Sequence, residues 1–195
     1  MSWWLKVRRT PYLAAAIGAY LIVLPLVGEN RVPLISFTGV ASAAVAAMAP
    51  LIVMAAVMAS LASRDRHHEQ LACRGVWRGD MGLIVVTAVV CCLGAWALRH
   101  AQPFVVEASR NLVGFVGTAL IIRAVTNERA AVALTTAAVL VAAAFGHGRR
   151  GLQPWAWPLA DGASTPAALA AGVLFAAGLA AIAAAHGGGR ATRLR

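Results

Sequence analysis

Ser63-Arg64-Asp65-Arg66-His67-His68-Glu69-Gln70-Leu71-Ala72-Cys73-Arg74-Gly75-Val76-Trp77-Arg78-Gly79-Asp80 interrupts an otherwise apolar chain. It follows directly on a long apolar stretch, Ser36 to Ala62, and leads into another that starts at Met81. Leu71, Val76 and Trp77 are its apolar residues, scattered among Arg64, Arg66, Arg74, Arg78, Asp65, Glu69 and Asp80. A short helix with that pattern lies along a surface and does not cross a membrane. The run reads as a cytoplasmic docking loop, residues 63–80, between two spans.

Composition sets the class around that loop. Hydrophobic residues make up 61% of the chain and charged residues 12%, which no ordinary soluble domain matches. The expectation is an all-α polytopic membrane protein. A span takes about 20 mostly apolar residues, so 195 residues hold about six spans in a single transmembrane domain, with no room for a sizeable soluble one. Any energy-yielding reaction is therefore expected on another chain.

The net charge of +10 raises the question of nucleic acid. No basic patch is interleaved with aromatics on a soluble surface, so nucleic acid is not an expected partner, and the cations read as topology signals. Cys73, Cys91 and Cys92 form no disulfide framework; Cys91 and Cys92 are adjacent in an apolar run and read as small buried hydrophobes.

Residues 1–10, with Trp3-Trp4-Leu5-Lys6-Val7-Arg8-Arg9, suit a short interfacial helix. The apolar run after it is long for a signal sequence and has no small-residue cleavage site. The spans are expected at 11–27, 36–62, 81–98, 104–122, 130–146 and 166–185. Pro50 predicts a kink near the middle of the second span. The small residues Gly39 to Ala47 before it are of the kind that lets helices approach closely in lipid. Glu107 and Arg110, three residues apart, share a helix face and can pair. Residues 147–162 contain Trp155-Ala156-Trp157 between Pro154 and Pro158, too apolar for a solvated loop, and are expected to dip back into the interface as an external re-entrant segment. Residues 186–195 form a basic tail.

Counting cations orients the chain. Lys6, Arg8, Arg9, Arg64, Arg66, Arg74, Arg78, Arg123, Arg129, Arg190, Arg193 and Arg195 fall on one side, 12 of the 17; Arg31, Arg99, Arg110, Arg149 and Arg150 fall on the other. The positive-inside rule then puts both termini in the cytoplasm of a multi-pass protein of the cell's inner (plasma) membrane.

The order of these parts resembles the type 2 permease subunit of ATP-binding-cassette exporters, in a small actinobacterial-type member. The resemblance runs along the whole chain: an interfacial helix, two spans, a charged internal loop, two spans, an internal turn, a fifth span, a re-entrant external segment and a sixth span. Ala59-Ser-Leu-Ala-Ser-Arg-Asp-Arg-His-His-Glu-Gln-Leu71 is its most specific part. Arg110-Asn111-Leu112-Val113-Gly114 and Trp155-Ala-Trp-Pro158 add to it. Where the family commonly follows the Glu with Gly-Thr, this chain has Glu69-Gln70-Leu71-Ala72.

The resemblance implies a permease without catalysis of its own. Two such subunits, the second the same or a different chain, would dimerise through spans two and five, and each would dock a short coupling helix into a separate cytoplasmic ATPase. ATP and Mg would be bound by that ATPase, and no cofactor is expected on this chain. Carried onto this sequence, the docking helix falls on Arg66 to Trp77. The ATPase-coupling residues are Arg64, Asp65, Arg66, Glu69, Leu71, Arg74, Trp77 and Arg78, with Leu71 and Trp77 as anchors and the arginines setting orientation. Met48, Met54, Met58, Thr135 and Thr136 are the candidates for a substrate pathway. The alanine-rich spans argue against a strongly charged solute and favour an amphipathic or hydrophobic one: a peptide, a drug or a lipid.

Other readings carry less. His67-His68 lacks a further ligand at metal-site spacing, so no metal site is expected. His186-Gly-Gly-Gly-Arg190 follows a span and has no Lys-Ser/Thr after its glycines, so it is no phosphate loop. No Gly-x-Ser-x-Gly and no in-span histidine pair supports a membrane enzyme. The alternative from another class is a noncatalytic anchoring or assembly subunit, which would bind a partner without changing its turnover.

Overall fold

The apolar runs become helices. The computed structural model describes residues 8, 10–27, 31–36, 39–63, 76–98, 104–148 and 151–187. In chain order these form α1 (Thr10–Val27), strands β1 (Arg31–Ser36) and β2 (Gly39–Ala44), α2 (Val45–Met48), α3 (Pro50–Ala62), α4 (Val76–Leu98), α5 (Val105–Val125), α6 (Glu128–Phe145), strands β3 (His147–Gly148) and β4 (Gly151–Leu152), a 3-10 turn (Pro154–Leu159) and α7 (Thr165–Gly187). The protein is mostly helical. Five helices among the described residues are long and apolar enough to cross a membrane: Val45–Ala62, Trp77–Ala97, Val105–Val125, Glu128–Phe145 and Thr165–Ala185; Thr10–Leu26 is a shorter apolar helix. It is a membrane protein by that measure.

Two expected boundaries are corrected. The second span was expected to begin at Ser36, but Gly39–Ala44 is a strand paired antiparallel with Arg31–Ser36, Arg31 opposite Ala44 and Ser36 opposite Gly39. Val32 and Ile35 favour extended backbone, Pro33 disfavours helix, and Gly39 and Ser42 are weak helix formers, so the two runs pair as strands. Helix starts only at Val45. The charged loop was expected to reach Asp80, yet Val76–Asp80 already belongs to α4; the rest of it, 64–75, lies outside the described residues, as do the interfacial run 1–7 and the tail 188–195.

Pro50 acts as its chemistry requires. It has no amide hydrogen, so α2 and α3 meet at Ala49, where Ile52 N bonds Ala49 O in a tighter i to i−3 step at 3.1 Å and Pro50 sits in the first turn of α3. At the α5–α6 turn the caps are explicit. Asn127 Oδ1 accepts from Ala130 N at 2.9 Å, and Arg123 in the last turn of α5 pairs with Glu128 in the first turn of α6 at 3.0 Å. Each charge suits the dipole of its own helix end.

Helix α5 is the centre of the arrangement. It packs on α2, α3, α4, α6 and α7, and 61% of its span is buried, against 22% for α7. It is also the least apolar of the five spans. Lipid requires apolar surface, but a helix enclosed by other helices can carry Arg110, Asn111 and the glycines Gly114 and Gly117, provided neighbours satisfy them. Its crossing with α7 is close: a Cβ on Gly117 would collide with the backbone of Leu174 and Phe175, and one on Gly178 would reach Gly117 O at 2.7 Å. The buried positions of α7, Ala167, Ala171, Gly178 and Ile182, are small along most of that seam. Leu112, Phe115, Val116 and Leu120 of α5 join Val53, Met54, Val57 and Met58 of α3 in one apolar core.

Candidate functional site

Helix direction alternates along the chain, so polar residues collect at two ends. At one end, five residues into α5 or about 7.5 Å from its start, Arg110 and Asn111 hold the 3-10 turn. Arg110 Nη1 donates to Asp161 O at 2.7 Å, and Nη2 donates to Ala160 O at 2.7 Å and Trp157 O at 3.3 Å. Asn111 Nδ2 donates to Pro158 O at 2.7 Å and Ala47 O at 3.3 Å, while its Oδ1 accepts from Arg110 Nε and Nη2. Asn111 is fully buried and Arg110 is 7% exposed. Within the turn Ala160 N bonds Trp157 O at 3.2 Å, and a forked guanidinium can collect several carbonyls at once.

The turn is also packed. Trp157 lies against Gly114, where a Cβ would enter its ring, and its ring stands 5.8 Å from Phe115 at 54°. Ala156 and Pro158 are buried, whereas Trp155 is half exposed. Two short motifs about 45 residues apart, Arg110–Gly114 and Trp155–Pro158, therefore form one structure. The spacing of Glu107 and Arg110 suggested a pair; Glu107 and Asp161 do attract the guanidinium, but the hydrogen bonds above run to carbonyls.

At the other end, Arg8 precedes α1 and Asp80 lies in the first turns of α4. Arg8 Nη2 is 2.8 Å from Asp80 Oδ1 and 3.0 Å from Oδ2, with the side chains 0% and 4% exposed. Ser60, near the end of α3, donates from Oγ to Arg8 O at 2.6 Å. This junction ties together the chain segments on both sides of residues 64–75. Both charges read as solvated in the sequence, one in an interfacial helix and one in a loop. The signal was in the spacing: Asp80 falls in line with Ile84, Thr87, Ala88, Cys91 and Ala95, all buried, which is one protein-facing stripe of a helix.

Among the expected coupling residues, Arg64, Asp65, Arg66, Glu69, Leu71 and Arg74 lie outside the described residues. Trp77 and Arg78 open α4, the Arg78 guanidinium 5.6 Å from the centre of the Trp77 ring. Of the pathway candidates, Met54 and Met58 are fully buried on α3, Met48 is half-buried on α2, and Thr136 is half-buried on α6. Thr135, 1% exposed, has a buried hydroxyl with no hydrogen-bond partner among the described residues. They do not gather at one opening; Met58 alone of the five lines the cleft between α3 and α6. Among the described residues no group of three or more His, Cys, Asp or Glu side chains could hold a metal. Comparison with protein-family models, with curated proteins and with solved structures finds no match.

Proposed function

We propose that this chain is the membrane-spanning subunit of an ATP-driven exporter, with residues 64–78 as the contact for a separate ATPase and an amphipathic or hydrophobic molecule as substrate. One observation supports the reading above others: the Arg8, Asp80 and Ser60 junction. A loop that transmits force must be anchored at its flanks, or the push is lost in bending. Here α3 and α4, which flank the loop, are joined through a buried ion pair and a buried hydrogen bond, so displacement of the loop is carried into both helices. From α3 it passes to α5 and α6, which α3 contacts. On this reading the Arg8 end is cytoplasmic, as the cation count requires, and the Arg110 end is external.

The test is co-expression with candidate ATP-binding-cassette ATPases from the same genome, co-purification, and then ATP hydrolysis. The unaltered chain should bind and stimulate the ATPase, and Leu71→Asp with Trp77→Asp should abolish both while the protein stays in the membrane. Binding without any change in turnover would replace the transport reading with an anchoring one. No association at all would remove both.

A further inference from the structure

At the Arg8 end, α3 and α6 leave between them a cleft of about 520 Å³. Its floor is apolar: Ala55, Met58 and Ala59 of α3 and Val132 of α6. Its rim is polar: Ser63, Glu128 and Arg129. The floor runs from Ala55 to the rim at Ser63 over eight residues, about 12 Å of helix, within two segments long and apolar enough to cross a membrane. The rim lies where those segments end, which is the level of the headgroups.

The charge at the rim is cationic. Glu128 is engaged by Arg123 at 3.0 Å. Arg129 is exposed and makes no hydrogen bond or ion pair with any described residue. Among the described residues, two arginines against one glutamate leave one positive charge. A free phosphate would have no use for the 12 Å apolar floor, and a zwitterionic lipid would bring no net charge for Arg129. A molecule with an apolar chain and an anionic head matches both halves, and a bilayer supplies it at the right depth.

We infer that this cleft is a binding site for one anionic phospholipid, its acyl chain along Ala55, Ala59 and Val132 and its phosphate at Arg129 beside Ser63. The site does not depend on the transport reading, because it uses neither the loop contact nor an ATPase. It would make the packing of α3 on α6 sensitive to the lipid around the protein.

Native mass spectrometry of the full-length chain tests this, with phosphatidylglycerol and phosphatidylcholine of identical acyl chains added in parallel. The unaltered chain should carry one phosphatidylglycerol at roughly five times the occupancy of phosphatidylcholine, the ratio one added cation supplies. Arg129→Glu should erase that preference, and Ala59→Leu, which fills the exposed floor, should lower occupancy by both lipids. Arg195→Glu, the same charge change in the tail, should leave the preference in place. Size-exclusion profiles check that each variant is folded; should Ala59→Leu fold poorly, the exposed Arg129 alone decides. Equal occupancy by the two lipids overturns the site, as does a preference that survives Arg129→Glu or disappears with Arg195→Glu. Displacement of phosphatidylglycerol by equimolar inorganic phosphate or by an acidic peptide also overturns it.

Discussion

Arg8 and Arg110 are both buried at opposite ends of the same bundle, but they are held in different ways. Arg8 meets a carboxylate, Asp80, from another helix. Arg110 directs most of its hydrogen bonds at backbone carbonyls of one turn. An ion pair joins two side chains and can be replaced as a unit. A guanidinium gathering carbonyls has no such unit, because its partners belong to the backbone and stay behind when it is removed.

The largest effect should come from splitting the ion pair. Asp80→Ala or Arg8→Ala leaves a buried charge alone and should cost about 3–5 kcal/mol, whereas Arg8→Met with Asp80→Leu should return most of it. Thermal unfolding in detergent measures all three, and a double variant no better than the single ones would show that the pair is not a replaceable unit.

Next comes Arg110. Arg110→Lys keeps the charge but loses the fork, and should cost roughly 2–3 kcal/mol with Trp157 emission shifting as the turn loosens. A lysine that preserves both melting temperature and emission would mean that charge alone holds the turn. Gly114→Ala attacks the same turn through packing. Its methyl enters the space of the Trp157 ring, so about 1–3 kcal/mol and a similar emission change are expected; unchanged emission would contradict the observed contact.

The smallest effect is at Thr135. Its hydroxyl is buried without a partner, so Thr135→Val should be neutral or stabilising by up to about 1 kcal/mol. On the proposed transport reading, a lining role for the hydroxyl requires lost transport in a well-folded Thr135→Val, and retained transport assigns the residue to packing.

Much of the helical plan was legible because burial in lipid demands long apolar runs, and such runs can be read directly. Pro50 marked the break between α2 and α3 because it has no amide hydrogen, also a property of the residue itself. The hairpin of Arg31–Ser36 and Gly39–Ala44 was hidden, since alanine and glycine next to an apolar run look like more span, and strand pairing depends on a partner further along the chain. Asn111 stands in the sequence only as part of the Arg110–Gly114 motif, and nothing local shows that its amide reaches both Pro158 and Ala47.

Sequence by itself determined that this is a membrane protein, where its apolar helices run and which polar residues had to be explained, because hydropathy and charge are local properties. Tertiary structure decided which of those residues are buried and with whom. It made α5, the least apolar span, the centre, joined Arg8 to Asp80 across 72 positions, and seated Trp157 on Gly114. The reason is physical: a charge or a glycine costs little or much according to what packs against it, and that neighbour lies elsewhere in the chain.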